Sequence, residues 1–346
     1  MSITFKKKIS STSNTRLPIG TRLNSNGTLL LTSSGISSLD TFVGEGLPIG
    51  SLVLIYEDKY SNISDSILRC YLSEGIYNKH DLCISALRND PTENLPTKEE
   101  YKLIDNDLNN ENDKMKIAWR YENLSTINSS SSSSSTTNIH YDLQSTKSIS
   151  NELIEQIKIH KLTWNDYIQT QTQTSISYRN YLLKSLHQLL TTNYSSQSID
   201  KRILRIGIQS LSLSLFDHDN KSHFDELFSF LYYLRILLRT SLATCIITLN
   251  EKSKLFETLA DIVFELKLSN INHSDYIGFC QLIKLPRLNT IQPFIPDTWD
   301  IGIKLIKHRK NIIFEKYSIP PDLSQDASRD EKHKTLSCSS STQLDF

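Results

Sequence analysis

No apolar run in this 346-residue chain reaches the roughly 18–20 residues that a membrane helix needs. Met1 to Lys8 lacks the apolar core of a signal peptide. No Cys-x-x-Cys occurs, and the nine histidines are scattered, so the five cysteines form no ligand set. Cys70, Cys83, Cys245 and Cys280 sit among apolar residues, and Cys338 lies in a polar stretch. They read as free thiols in a reducing compartment. Neither charge is in excess, with 38 Lys+Arg against 38 Asp+Glu, so net charge argues neither for nor against a nucleic-acid partner. A soluble, intracellular protein is expected.

Hydrophobic content is 38%, low for a globular chain, and unevenly spread. Apolar residues are dense at 47–87, 177–215, 224–249 and 261–285, and sparse at 88–114, 122–150 and 322–346. The pattern predicts a flexible 1–16, a single domain over 17–321 with a disordered insert at about 122–176, and a mostly disordered tail at 322–346. Seven consecutive serines at 129–135 lie in the insert.

What is there is α/β. Ser51–Tyr56 is a short apolar run after a turn and reads as a buried strand. Asp65 to Tyr77 has helical spacing, and Leu82–Leu87 is a second strand, so a βαβ unit and a parallel sheet are expected. After the insert come a helix from Ser177 with one apolar stripe, a strand at Ile203–Ile208, a helix from Phe224 to Arg239 and a strand at Leu242–Thr248. Strands at Asp261–Leu266 and Phe279–Leu285 and a hairpin from Ile301–Lys307 to Asn311–Tyr317 add an antiparallel C-terminal flank.

Glycine is missing where it would matter most. Gly35-Ile36-Ser37-Ser38-Leu39-Asp40, Gly44 to Gly50 and the Ser51–Tyr56 strand resemble the lead-in to the first core strand of RecA-like ATPases. A phosphate loop after that strand needs glycines, whose backbone N–H groups close around phosphate. It also needs a Lys for the β/γ-phosphates and a Ser or Thr for Mg²⁺. Here the strand runs into Glu57-Asp58-Lys59-Tyr60-Ser61-Asn62-Ile63-Ser64-Asp65-Ser66, with no glycine and no Gly-Lys-Ser/Thr. A second loss falls at the end of Ile206-Gly207-Ile208. Gln209 stands where such enzymes carry the Mg²⁺-holding Asp, and a neutral amide is a poor substitute. Asp217, the next carboxylate, is eight positions on.

Further pieces carry a more specific likeness. They include Pro18-Ile19-Gly20-Thr21-Arg22, Leu54 to Tyr60, Leu72-Ser73-Glu74-Gly75-Ile76 and Met115 to Tyr121. Arg202 to Leu211, Leu234 to Ala243, Lys284 to Asn289, Pro320 to Ser324 and the terminal Leu344-Asp345-Phe346 continue the series. On these the chain resembles the PAXNEB family, the Elongator complex protein 4 family. The likeness covers roughly 17–120 and 200–325 and stops at the low-complexity regions.

The resemblance implies a RecA-like α/β fold: a mainly parallel sheet flanked by helices, with a degenerate phosphate loop and antiparallel C-terminal strands. It implies assembly with Elongator proteins 5 and 6 into a hetero-hexameric ring. That ring binds tRNA and supports carboxymethyl-type modification of wobble uridine, with the chemistry left to the Elongator catalytic core. It implies a non-enzyme with no cofactor of its own, ATP at ring interfaces, and a place in the cytoplasm and the nucleus. The competing reading, an active RecA-like ATPase acting on nucleic acid, requires the missing Lys and Asp. A third, an unrelated interaction module, leaves the ordered family pieces without explanation.

Candidate site residues follow. Glu57, Asp58 and Lys59 in the vestigial loop read as an interface contact or as a solvated turn. Gln209 belongs with them. Arg235 and Arg239 lie one helical turn apart, and their forks suit a neighbour's phosphate or carboxylate, or form a plain surface pair. Trp119, Arg120 and Tyr121 could stack on a base or form a buried edge strand. Lys304, Lys307, His308, Arg309 and Lys310 cluster at a hairpin tip, facing RNA phosphate or only solvent. No residue is assigned catalysis or a metal. Asp40 and Asp65 have no His or Ser partner in a catalytic order.

Overall fold

The computed structural model describes residues 17–86, 92, 95–101, 138–143, 149–171, 177–197, 201–211, 220–269, 276–289, 294–306 and 311–317. The chain begins with a small antiparallel sheet of β1 (Thr21–Leu23), β2 (Leu30–Thr32) and β3 (Leu47–Pro48), with α1 (Ser37–Val43) before β3. Next come β4 (Leu52–Tyr56), α2 (Ile63–Tyr77) and β5 (Asp81–Ser85). β6 (Thr97–Tyr101) and β7 (Asn138–Asp142) pair antiparallel, apart from the main sheet. Then follow α3 (Asn151–Glu155), β8 (Ile159–Lys161), α4 (Trp164–Gln171), α5 (Tyr178–Thr192) and β9 (Leu204–Ile208). The rest is α6 (Asn220–Arg239), β10 (Ala243–Leu249), α7 (Lys254–Leu259), β11 (Ile262–Leu268), β12 (Tyr276–Lys284), β13 (Asp300–Ile306) and β14 (Asn311–Lys316).

Among the described residues the main sheet has nine strands, in the order β14-β13-β12-β11-β4-β10-β9-β5-β8. From β8 to β11 neighbours run parallel, and from β11 to β14 antiparallel. This is the expected α/β sheet with an antiparallel flank. Its central strand β4 is buried at every position because helices cover both faces. In β4, Leu52, Leu54 and Tyr56 point to the layer of α5, α6 and α7, while Val53 and Ile55 point to α1 and α2. α6 turns Leu227, Phe230, Leu231, Leu234 and Leu238 onto the sheet, the three-and-four spacing that makes one buried stripe. Each such side chain contributes about 2 kcal/mol by leaving water. α5 starts at Ser177, whose hydroxyl accepts from the Asn180 N–H and so satisfies one donor of the first turn.

β9 alternates Leu204, Ile206 and Ile208 toward α5 and α6, and Arg205 and Gly207 toward α2. Gly207 is there because a Cβ would press on Leu68 and Leu72, so α2 could not lie this close. Arg205 is fully buried and makes no ion pair among the described residues. Its guanidinium donates to His80 Nδ1 at 3.0 Å, the Tyr71 carbonyl at 2.9 Å and Thr32 Oγ1 at 2.7 Å, and stacks 4.8 Å from the Tyr71 ring centre. His80 Nε2 bonds the Ile19 carbonyl at 2.7 Å. This cation therefore ties the small N-terminal sheet to the main one. Gly35 completes the joint. It sits at φ +89°, and a Cβ there would collide with the Cys70 carbonyl of α2.

The expected disordered insert at about 122–176 needs correction. Within it β7, α3, β8 and α4 are formed, and Tyr141, Ile149, Ile157 and Tyr167 are buried. A few well-spaced apolar residues suffice because β8 gains its order from backbone pairing with β5, which leaves no apolar run to read. The serines at 129–135, residues 1–16 and the tail from 322 lie outside the described residues.

Candidate functional site

Parallel strands end their crossover loops on one rim, and there β4, β10 and β9 stand side by side. A pocket of about 630 Å³ opens at that rim. Glu57, Asp58, Lys59, Ser61, Asn62, Ser64 and Asp65 line it from the loop after β4 and the start of α2, Gln209 and Ser210 from the end of β9, and Asn250 from the end of β10. The structure thus brings four of the sequence candidates together, Glu57, Asp58, Lys59 and Gln209, and adds Asp65, Ser210 and Asn250.

Several polar groups of this pocket bond to one another, while the Ser61 hydroxyl has no partner among the described residues. Ser210 turns back at φ 48°, held by its N–H on Thr248 Oγ1 at 2.7 Å. Its hydroxyl then lies 3.1 Å from each oxygen of the Glu57 carboxylate and donates to it. Gln209 donates from its backbone to the Ser85 carbonyl at 2.9 Å and from Nε2 to Asp65 at 3.1 Å. Asp65 also pairs with Arg69, one turn along α2, at 2.9 Å. Burial raises the Asp65 pKa, and Arg69 opposes the rise. Asp58 accepts from the N–H groups of Tyr60 at 2.8 Å and Leu268 at 2.9 Å. Lys59 leans over Tyr60, 5.6 Å from the ring centre.

These residues do not fit a nucleotide phosphate. Three carboxylates, Glu57, Asp58 and Asp65, face a single ammonium. At ~5 Å and an effective dielectric near 20, Glu57 and Asp58 would each repel one phosphate charge by roughly 3 kcal/mol, while Asp65 is paired with Arg69. No glycine loop turns N–H groups inward, and Gln209 spends its amide on Asp65. Among the described residues no group of three or more His, Cys, Asp and Glu is placed to hold a metal ion.

Arg239, grouped with this loop as a vestigial-site or interface candidate, is elsewhere. It lies at the opposite ends of the strands, where it donates to the Gly50 carbonyl at 3.1 Å and pairs with the buried Asp261. Asp261 in turn accepts from the Leu52 N–H at 2.9 Å, so the pair fastens the starts of β4 and β11. Arg235 stands one turn back on α6, near Lys284, whose pKa is lowered by burial and by Arg235. Lys304 pairs with Glu315 at 2.6 Å and covers the Tyr276 ring at 4.5 Å, so its charge is already engaged within the sheet. Trp119, Arg120, Tyr121, Asp217, Lys307, His308, Arg309, Lys310 and Cys338 lie outside the described residues.

A larger cavity, about 840 Å³, lies under the N-terminal sheet between α1 and the β6–β7 pair. Sequence reasoning missed it, since no motif marks residues gathered from so many elements. Three of its charged side chains are occupied. Asp40 accepts from Ser33 and Ser34, Arg22 donates to the Glu45 carbonyl, and Glu74 accepts from Tyr141 and Asn78. No helix among the described residues is long and apolar enough to cross a membrane. Cys70, Cys83, Cys245 and Cys280 are free and buried, as expected.

With this geometry in hand, likeness to known proteins is decisive. Residues 13–346 match the family model described as PAXNEB protein. The chain belongs to the PAXNEB family. Relatives of this PAXNEB chain include Elongator complex protein 4 of Danio rerio, 33% identical over 353 residues, covering 90% of this chain and 87% of that protein. Elongator complex protein 4 of Xenopus laevis is 33% identical, covering 90% and 85%. The Homo sapiens protein of the same name is 32% identical over 352 residues, covering 90% and 82%.

Proposed function

We propose that this chain is a non-catalytic subunit of the Elongator complex. In this reading it is a RecA-like ring subunit that assembles with Elongator proteins 5 and 6 into a hetero-hexamer. The ring binds tRNA and supports wobble-uridine modification carried out by the catalytic core. The observation that carries the reading is likeness to Elongator complex protein 4 along nearly the whole of both chains, 90% of this one and 87% of the Danio rerio protein. The strand-end pocket supports the non-catalytic part. Gln209 is paired with Asp65 and Ser210 with Glu57, and the Glu57 and Asp58 carboxylates oppose phosphate. ATP, where the assembly uses it, then sits at interfaces between subunits. In this reading the loop after β4, which is degenerate as a phosphate loop, meets a neighbour through Glu57, Asp58 and Lys59.

Affinity purification of the tagged chain from its own cells, followed by mass spectrometry, tests this. Recovery of Elongator proteins 5 and 6 with the catalytic core is expected. Recovery of an unrelated set of partners, without any Elongator subunit, would overturn the assignment.

A further inference from the structure

The outer surface of α6 carries a feature that the strand-end pocket and the family assignment leave unused. α6 buries the stripe from Leu227 to Leu238, and its opposite side should be polar. Instead Tyr232, Tyr233 and Ile236 are adjacent on that side and 47%, 55% and 47% exposed. Single exposed apolar residues are ordinary, but three contiguous ones mark a contact surface. Tyr232 and Tyr233 meet edge to face, with ring centres 5.7 Å apart. Between α6 and α5 this ridge falls into a groove of about 470 Å³, walled by Leu183, Tyr233, Ile236 and Leu237. The groove has room for several apolar side chains.

Among the residues that line it, the one charge is the Lys184 ammonium. α5 contains no Asp or Glu, and α6 contains none after Glu226. Lys184 and His187 stand on the α5 bank, both exposed. Arg235 flanks the ridge on the other side, by the spacing of the helix, with Lys284 near it; Arg287, Asp261 and Glu257 also lie near Lys284. Neither Lys184 nor Arg235 makes an ion pair among the described residues.

We propose that the α5–α6 groove docks an amphipathic helix of another protein, one with an apolar stripe and acidic flanks. An apolar floor with a basic rim is the complement of such a helix, whose anchors recur at i, i+3, i+4 and i+7. Tyr and Arg are also the residues that most often anchor interfaces. A second copy of this chain is a poor occupant. A two-fold contact would set the basic rim of one copy against the basic rim of the other. RNA is a poor occupant as well, because the groove walls are carbon and phosphate binding needs a row of cations. The proposal stands on this surface alone and does not depend on the Elongator reading.

The test is photo-crosslinking in the chain's own cells, with benzoylphenylalanine replacing Tyr233 in the full chain and the adduct mapped by mass spectrometry. The expected adduct lies in a partner helix with an apolar stripe and Asp or Glu at its flanks. Ile236→Glu should lower its yield at least tenfold. Lys184→Glu should lower it at least threefold, and Lys at the facing acidic position of the partner should restore it. Both variants replace exposed or groove-lining residues and should keep the melting temperature of the parent. An adduct to a second copy, to RNA or to a segment without acidic flanks would overturn the proposal. So would no adduct, or a yield unchanged by Ile236→Glu.

Discussion

Lowering the pH should loosen this fold at His80. Its side chain is buried between the two sheets, with Nδ1 accepting from Arg205 and Nε2 against the Ile19 carbonyl. That geometry requires a neutral ring, with its proton on Nε2. A second proton would go onto Nδ1, break the Arg205 bond and set two cations together in a dry core. Burial, with Arg205 beside it, lowers the His80 pKa from 6.5 to about 3. The unfolded chain takes up this proton near pH 6.5, and the folded chain only near pH 3. Stability is therefore full above about pH 6.5 and falls as pH drops toward 3. From the difference between 6.5 and the working pH, the loss is about 2 kcal/mol at pH 5. Urea denaturation of the full chain at pH 7 and pH 5, beside His80→Gln, isolates the term because the other titrating groups are common to both. The native chain should lose about 2 kcal/mol more than the variant over that interval. Equal losses would show that His80 is solvated or already charged, and the reading of Arg205 as an unpaired buried cation would be wrong.

Three other results are expected. Arg239→Ala strands the buried Asp261 carboxylate and should cost about 2 kcal/mol in the same denaturation assay, less than a fully buried pair because Arg239 is one-third exposed. No change in the midpoint would place that pair on the open surface. Gly35→Ala, at φ +89° and against the Cys70 carbonyl, should cost about 2 kcal/mol or more, seen as a lowered melting temperature. The isolated chain should release no phosphate from ATP above background, since its strand-end pocket opposes phosphate. Turnover abolished by Lys59→Ala would contradict that and make Lys59 a phosphate ligand.

The parts of the fold legible in the sequence are those buried on both faces. Ser51–Tyr56 reads as a strand and is one from Leu52, because helices on both sides demand an unbroken apolar run. The terminal hairpin, partly exposed at the sheet edge, is found at β13 and β14 from its length and pattern instead. β8 was not legible, since Ile159-His160-Lys161 has no pattern and owes its order to the edge of β5. The three-residue strands β1 and β2 are of the same kind. At the candidate site, the omission of glycine after Tyr56 could be read directly. The meeting of Asp65, Gln209, Ser210 and Asn250 could not, because it follows from β4, β10 and β9 being neighbours in space. Arg239 shows the same limit. Its spacing from Arg235 reads as a surface pair, and the partner that claims it, Asp261, belongs to another element.

The measurement closest to the central claim is native mass spectrometry of the chain co-expressed with Elongator proteins 5 and 6, paired with a tRNA gel shift on the same sample. A hetero-hexamer containing all three chains is expected, and tRNA should shift with that ring and not with this chain alone. A homo-hexamer of this chain that shifts tRNA as well as the mixed ring does would contradict the account.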